Sequence, residues 1–158
     1  MRLTDILSVQ RVAILRDPKG PRDKAGVIAL IARLLTVDSP LDQALVERVL
    51  LEREALQSTG IGDGVAIPHG ALPDLDHQLA ALVIVPDGLD FKAIDDQKVQ
   101  LLFALVGRKG ATGEHLKTLA RISRLLRRRE LRQAISSGES PSAVFALIEA
   151  EEAQGELR

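Results

Sequence analysis

The sequence has no cysteine, no tryptophan and no tyrosine, and its 2% of aromatic residues is phenylalanine alone. Without cysteine there is no disulfide, no thiolate metal site and no cysteine nucleophile. So few aromatic rings leave almost no stacking platform for single-stranded nucleic acid or for sugars. A basic surplus is also missing: 21 Lys and Arg face 22 Asp and Glu, for a formal net charge of -1, whereas nucleic-acid binders usually carry a positive excess. No apolar run is long enough to span a bilayer, and residues 1–15 lack the basic start and apolar stretch of a secretory signal. These absences lead to the expectation of a cytoplasmic protein with no nucleic acid and no direct membrane insertion.

What remains is an ordinary globular balance, 46% hydrophobic and 27% charged over 158 residues, enough for one domain with its own core. Neither a repeat nor a linker divides the chain. A single domain over residues 1–151 and a polar tail over 152–158 are expected.

The elements follow from periodicity and punctuation. Residues 6–15 read as a helical turn leading into a strand, and the two prolines and glycine of residues 17–21 as a loop. Asp23 is placed to cap a helix reaching about Leu35, with Val27, Leu30, Ile31 and Leu34 at helical spacing. Ser39 as cap, Pro40 at the first helical position and Asp42 in a capping-box-like pattern open a second helix, which runs to about Ala55 or Gln57. Residues 58–64 read as a loop, and Val65, Ala66 and Ile67 as a short strand stopped by Pro68. The continuous apolar runs 79–85 and 99–106 read as buried strands, with a short edge strand at 89–91 between them. Thr112 is expected to cap a helix to about Arg128, turning Leu116, Leu119, Ile122 and Leu126 inward; helices over 130–136 and 141–151 complete the chain. Apolar strands flanked by amphipathic helices imply an α/β fold, a mixed central sheet with helices on its faces.

Only three histidines are available for chemistry. His69 stands in the most unusual local sequence, where Gly60, Gly62 and Gly64 precede a strand ending Ile67-Pro68-His69-Gly70. Successive amides in a glycine-rich turn can form a concave anion nest, although such a segment is often only a tight turn and a histidine beside proline often only structural. The Gly-Lys-Ser/Thr of a nucleotide-binding loop is missing, which argues against ATP. His115, one turn after Thr112, lies near a helix N-terminus, where the dipole favours a neutral ring; the alternative is a surface histidine with no task. His77, in Asp74-Leu75-Asp76-His77, lacks a matching second ligand set and reads as a solvated loop. For the run Arg121, Arg124, Arg127, Arg128, Arg129 and Arg132, a solvated face is the default and partner docking the alternative.

Together, Arg53-Glu54, then Ser58-Thr59-Gly60-Ile61-Gly62-Asp63-Gly64-Val65-Ala66-Ile67-Pro68-His69-Gly70, and later Leu101-Leu102-Phe103-Ala104-Leu105-Val106 and Glu114-His115-Leu116-Lys117-Thr118-Leu119-Ala120, resemble the fructose/mannitol-type (type 2) enzyme IIA domain of the bacterial phosphoenolpyruvate-dependent phosphotransferase system. The likeness covers roughly residues 3–148. Within that family the Ser-Thr-Gly-Ile-Gly wording and the free-standing domain are most similar to the nitrogen-type enzyme IIA. The resemblance implies that His69 is the phosphorylated nucleophile, that His115 is a second active-site histidine, and that Arg53 helps frame the site. Ser58, Thr59, Gly60, Gly62 and Gly64 would form the loop beneath the phosphate. No cofactor and no metal is implied. The partners implied are a phosphorylated histidine carrier protein and then either regulatory targets, among them potassium-transport or sensor proteins, or an enzyme IIB of a fructose/mannitol-type transporter. A regulatory binding module that no longer transfers phosphate is the alternative from another class. Gln57, the 107–113 segment and the 18–21 loop depart from the family's usual wording, which bears on partner identity.

Overall fold

A strand buried on both faces cannot alternate polar and apolar residues, so the two continuous apolar runs dictate the centre of the fold. The computed structural model describes residues 1–17 and 19–156; Pro18, in the expected 17–21 loop, lies outside the described residues, as do 157 and 158. In chain order the elements are β1 (Val12–Ile14), α1 (Lys24–Thr36), α2 (Gln43–Leu56), β2 (Gly60–Gly62), β3 (Val65–Ala66), β4 (His69–Leu72), β5 (Leu79–Leu89), β6 (Val99–Arg108), α3 (Thr112–Leu125), α4 (Arg129–Ser136) and α5 (Pro141–Glu156). Two short 3-10 turns, Leu3–Asp5 and Val9–Arg11, precede β1, so the expected turn leading into a strand is found.

The sheet is six-stranded and mixed, in the order β1-β5-β6-β3-β2, with β4 also on β6. β5 and β6 pair antiparallel at its centre, Leu82 opposite Phe103. Their successive residues serve two cores. Ala81, Val83, Val85, Leu102 and Ala104 pack with Val27, Ile31 and Leu35 of α1 and Val46 and Leu50 of α2. Ala80, Leu82, Ile84, Phe103 and Leu105 pack with Ile122 of α3, Ile135 of α4 and Val144 and Ile148 of α5. The result is a sheet sandwiched between two helices on one face and three on the other.

β3 and β4 share one partner. Val65 lies opposite Leu101 and His69 opposite Leu105, both parallel, so the register continues unbroken across Ile67 and Pro68. Pro68 has no N–H to give, but its carbonyl accepts from Leu105 N at 2.9 Å. The chain thus leaves the ladder for two residues and re-enters it at His69.

Several boundaries differ from the sequence expectation. The cap of α2 is Asp42, which accepts from Ala44 N, while Ser39 accepts from Leu41 N in a preceding turn. Ala111, not Thr112, occupies the N-cap of α3. Residues 60–62, expected in a loop, form β2 and pair with β3. The expected edge strand at 89–91 is instead the end of β5 followed by a fully buried Phe91. Glu152, where a polar tail was expected to begin, belongs to α5 and accepts from the Leu3 and Thr4 amides, so it ties the two ends of the chain together.

Candidate functional site

Breaking the strand at Ile67 and Pro68 has a chemical consequence. The Ile67 carbonyl lies 2.8 Å from Nδ1 of His69. A carbonyl can only accept, so Nδ1 carries the proton and donates it, which leaves the lone pair on Nε2. The histidine therefore enters the site with its tautomer fixed and one unprotonated nitrogen.

Two cationic or hydrogen-bonding groups stand beside it. The ring of His115, on α3, lies 5.5 Å from that of His69, centroid to centroid, with the planes tilted by 50°. Arg53, in the last turn of α2, lines the same cleft of about 450 Å³. Its Nη1 donates to the Gln57 carbonyl at 2.8 Å, holding the guanidinium at the end of its helix. Partial burial pushes the pKa of His69 below its ordinary value and the charge of Arg53 pushes it further, while the Ile67 hydrogen bond acts the other way. His115 is also shifted down, first by burial and then by His69, with Glu114 opposing. Both rings are therefore neutral near pH 7.

Two results follow for titration. Removing the guanidinium in Arg53→Gln is expected to raise the His69 pKa, which an NMR titration of the ring would show; an unchanged or lower value would mean that Arg53 does not act on this ring. Because both folded values lie below the unfolded value of about 6.5, stability is level above that pH. As pH falls below it, the unfolded chain takes up protons that the folded chain refuses, and stability is lost through the folded values. Denaturant unfolding at stepped pH should show this loss, shallower in His69→Ala.

The glycine-rich segment is divided rather than gathered. Ser58, Thr59 and Gly60 line the cleft with His69, whereas Gly62 and Gly64 form the turn between β2 and β3 with positive φ, beside Asp95 and Gln100. Two backbone amides of this segment beside the cleft are already engaged. Thr59 N donates to the Glu54 carboxylate and Gly60 N to Ser58 Oγ. Gly60 is required for a different reason, since a Cβ there would lie 2.7 Å from that of Ala93.

Glu54 is the residue that sequence reasoning missed. It is buried, pairs with Lys24 Nζ at 2.9 Å, and accepts from both the amide and the hydroxyl of Thr59. Lys24 also donates to the Phe91 carbonyl and lies over its ring. This cluster clamps α1, α2 and the Thr59 segment under the site. Its signal was present: Glu54 continues the inward i, i+4 row of Val46 and Leu50, and a charge on a core row needs a partner. Removing one member of a buried pair strands the other. Glu54→Ala is therefore expected to cost about 3 kcal/mol in urea unfolding, and Lys24→Met together with Glu54→Leu to recover part of it; an unchanged midpoint in Glu54→Ala would show the clamp to be idle.

The rim of the cleft is apolar. Ile61 and Ile94 line it, and both are exposed, Ile94 at 68%. Leu116, expected to face the core, is 59% exposed instead, because Thr118 takes the inward position and bonds Gln78. His77 lies apart on the surface, its Nδ1 2.5 Å from Asp76. Of the arginine run, Arg128 pairs with Glu151, and Arg132 donates to the Leu126 and Arg127 carbonyls, so these side chains serve helix packing. Among the described residues no three His, Asp or Glu are grouped to hold a metal ion, and no helix is long and apolar enough to cross a membrane.

A family model described as "Phosphoenolpyruvate-dependent sugar phosphotransferase system, EIIA 2" matches residues 9–151. The chain belongs to this enzyme IIA family. Over 148 residues it is 35% identical to the nitrogen regulatory protein of Bradyrhizobium diazoefficiens, covering 94% of this chain and 95% of that one. It is 32% identical to the fructose-specific EIIABC component of Bacillus subtilis, covering 94% of this chain but 23% of that much longer protein. The crystal structure of the nitrogen regulatory protein IIA-Ntr from Neisseria meningitidis superposes with a TM-score of 0.84 at 29% identity, over 92% of this chain and 98% of that one. The enzyme IIA fold expected from the sequence is thus found, and with it a family whose business is phosphoryl transfer. Relatives of both the nitrogen-regulatory and the sugar-specific kind accompany it.

Proposed function

We propose that this enzyme IIA accepts a phosphoryl group on Nε2 of His69 from a phosphorylated histidine carrier protein and passes the signal or the group to a further protein. The observation that carries the proposal is the Ile67 hydrogen bond, which commits the proton to Nδ1 and leaves Nε2 as nucleophile. In the transfer, the Nε2 lone pair forms the new N–P bond while the donor imidazole's N–P bond breaks, and the donor nitrogen keeps that electron pair. The Nδ1 proton stays on the ring, shared with Ile67.

Such a transition state is loose, so the site's task is alignment and stabilisation of charge on the equatorial oxygens. Arg53 supplies the positive charge, and a His115 N–H directed at the phosphoryl oxygens supplies a hydrogen bond. The loop residues Ser58, Thr59 and Gly60 wall the cleft and hold this geometry through Glu54, a supporting rather than a phosphate-gripping role. Gly62 and Gly64 shape the neighbouring hairpin.

The apolar rim of Ile61 and Ile94 suits a protein that must bring its own phosphohistidine into the cleft. The likeness to nitrogen regulatory proteins over nearly the full length favours a regulatory output, in which the charge gained at His69 alters binding to target proteins. Transfer to an enzyme IIB is the second reading, supported by the fructose-specific relative. Incubation with phosphoenolpyruvate, the general enzyme I and purified carrier proteins tests the proposal. Acid-labile phosphate on the His69 peptide is expected; no incorporation from any carrier would overturn it.

A further inference from the structure

Among the described residues three buried side-chain polar atoms have no hydrogen-bond partner: Ser8 Oγ, Gln78 Nε2 and His115 Nδ1. Two of the three border one space. A Cβ built on Gly107 of β6 would lie 2.8 Å from His115 Nδ1 and 3.8 Å from Gln78 Nε2. Without a Cβ, residue 107 lets both side chains approach its backbone.

The chemistry of the two atoms is complementary. An amide nitrogen only donates, and an imidazole nitrogen without a proton accepts. The far end of the Gln78 amide is anchored, since Oε1 accepts from the Thr118 hydroxyl at 2.7 Å, a closer partner for that hydroxyl than the Glu114 carbonyl at 3.1 Å. Gln78 and Thr118 are 4% and 1% exposed, so water does not compete for them. Thr118 follows His115 on α3, and the anchored amide thus presents its NH₂ on the side of Gly107 and the ring. A hydrogen bond between them, made by side-chain adjustment beside Gly107, would satisfy both orphans at once.

We propose that Gln78 is a positioning residue whose amide donates to Nδ1 of His115 and so holds the His115 proton on Nε2, the nitrogen available to a phosphoryl group on His69. The two site histidines are then set in opposite senses by their surroundings. Ile67 accepts from Nδ1 of His69 and frees its Nε2 to attack; Gln78 donates to Nδ1 of His115 and obliges its Nε2 to donate. The part played by His115 in transfer rests on the function proposed above, whereas the contact between Gln78 and the ring does not.

Nitrogen-15 NMR of the histidine rings in the unphosphorylated full chain tests the contact directly. The expected result is a proton on Nε2 of His115 and the shift of a hydrogen-bonded acceptor at Nδ1. In Gln78→Leu the Nδ1 shift should move to that of an unbonded lone pair. In Gln78→Glu, where a carboxylate replaces the donor, the proton should move onto Nδ1. With the amide reversed, Oε1 would accept from Nδ1–H, so a wild-type ring protonated on Nδ1 overturns the proposal. So does an Nδ1 shift that is the same in wild type and Gln78→Leu. Transfer from a phosphorylated carrier should slow about tenfold in Gln78→Leu, less than for outright loss of a donor, and the substitution should have no further effect in His115→Ala. If the Nδ1 shift responds as expected while transfer does not, it is the role of His115 in transfer that fails.

Discussion

Replacing His69 by alanine is expected to abolish phosphorylation by a phosphorylated histidine carrier protein, with loss of all measurable label. The expectation is strict because, of the three histidines, only His69 brings an unprotonated nitrogen to the cleft with an open approach. His115 is held by burial on its Nδ1 side, and His77 lies on the surface beside Asp76. His69 is only partly buried, so an alanine there removes one ring from a cleft wall and should leave the fold intact. Phosphopeptide mass spectrometry at neutral to alkaline pH would decide the matter, and phosphate recovered on the alanine variant would refute the assignment.

The second large effect is expected at His115. His115→Ala should slow transfer about 100-fold, the magnitude lost when one preorganised donor to a developing oxyanion is removed, while His69 remains modifiable given time. The rings stand 5.5 Å apart between centroids, near enough for a phosphoryl oxygen on one to meet the N–H of the other. Single-turnover kinetics with labelled carrier would separate rate from extent. Transfer at the wild-type rate would make His115 a bystander; phosphate recovered on His115 in the wild-type chain would make it a second acceptor.

The parts of this molecule that the sequence made legible are those where one physical cause dominates. The runs 79–85 and 99–106 have no polar residue on either face for most of their length, and a two-faced core is the consequence. Asp23 caps α1 as expected because no competing cap stands near it. At α2, Ser39 and Asp42 compete, and the later residue wins because Ser39 is used in a turn with Leu41. The site histidine, its arginine and His115 were legible through the resemblance of their surroundings, and the structure brings all three to one place.

What escaped depends on contacts between distant segments. The periodicity of α3 allowed Leu116 an inward place, but Thr118 holds that row through Gln78, forty residues away in the chain, and Leu116 turns out to solvent. At Gly60 the constraint is the approach of Ala93, thirty-three residues away, rather than a positive φ. Of the loop expected beneath the phosphate, the Thr59 amide is not free, because the Glu54 carboxylate already takes it. In each case the local pattern was real and a tertiary partner decided its use.

The placement of the nucleophilic lone pair can be tested without any mutation. Phosphorylating the nitrogen-15-labelled chain and recording phosphorus–nitrogen couplings would identify the bonded atom. Coupling of phosphorus to Nε2 of His69, with the proton still on Nδ1, is the predicted result. Coupling to Nδ1 of His69, or to either nitrogen of His115, would contradict it.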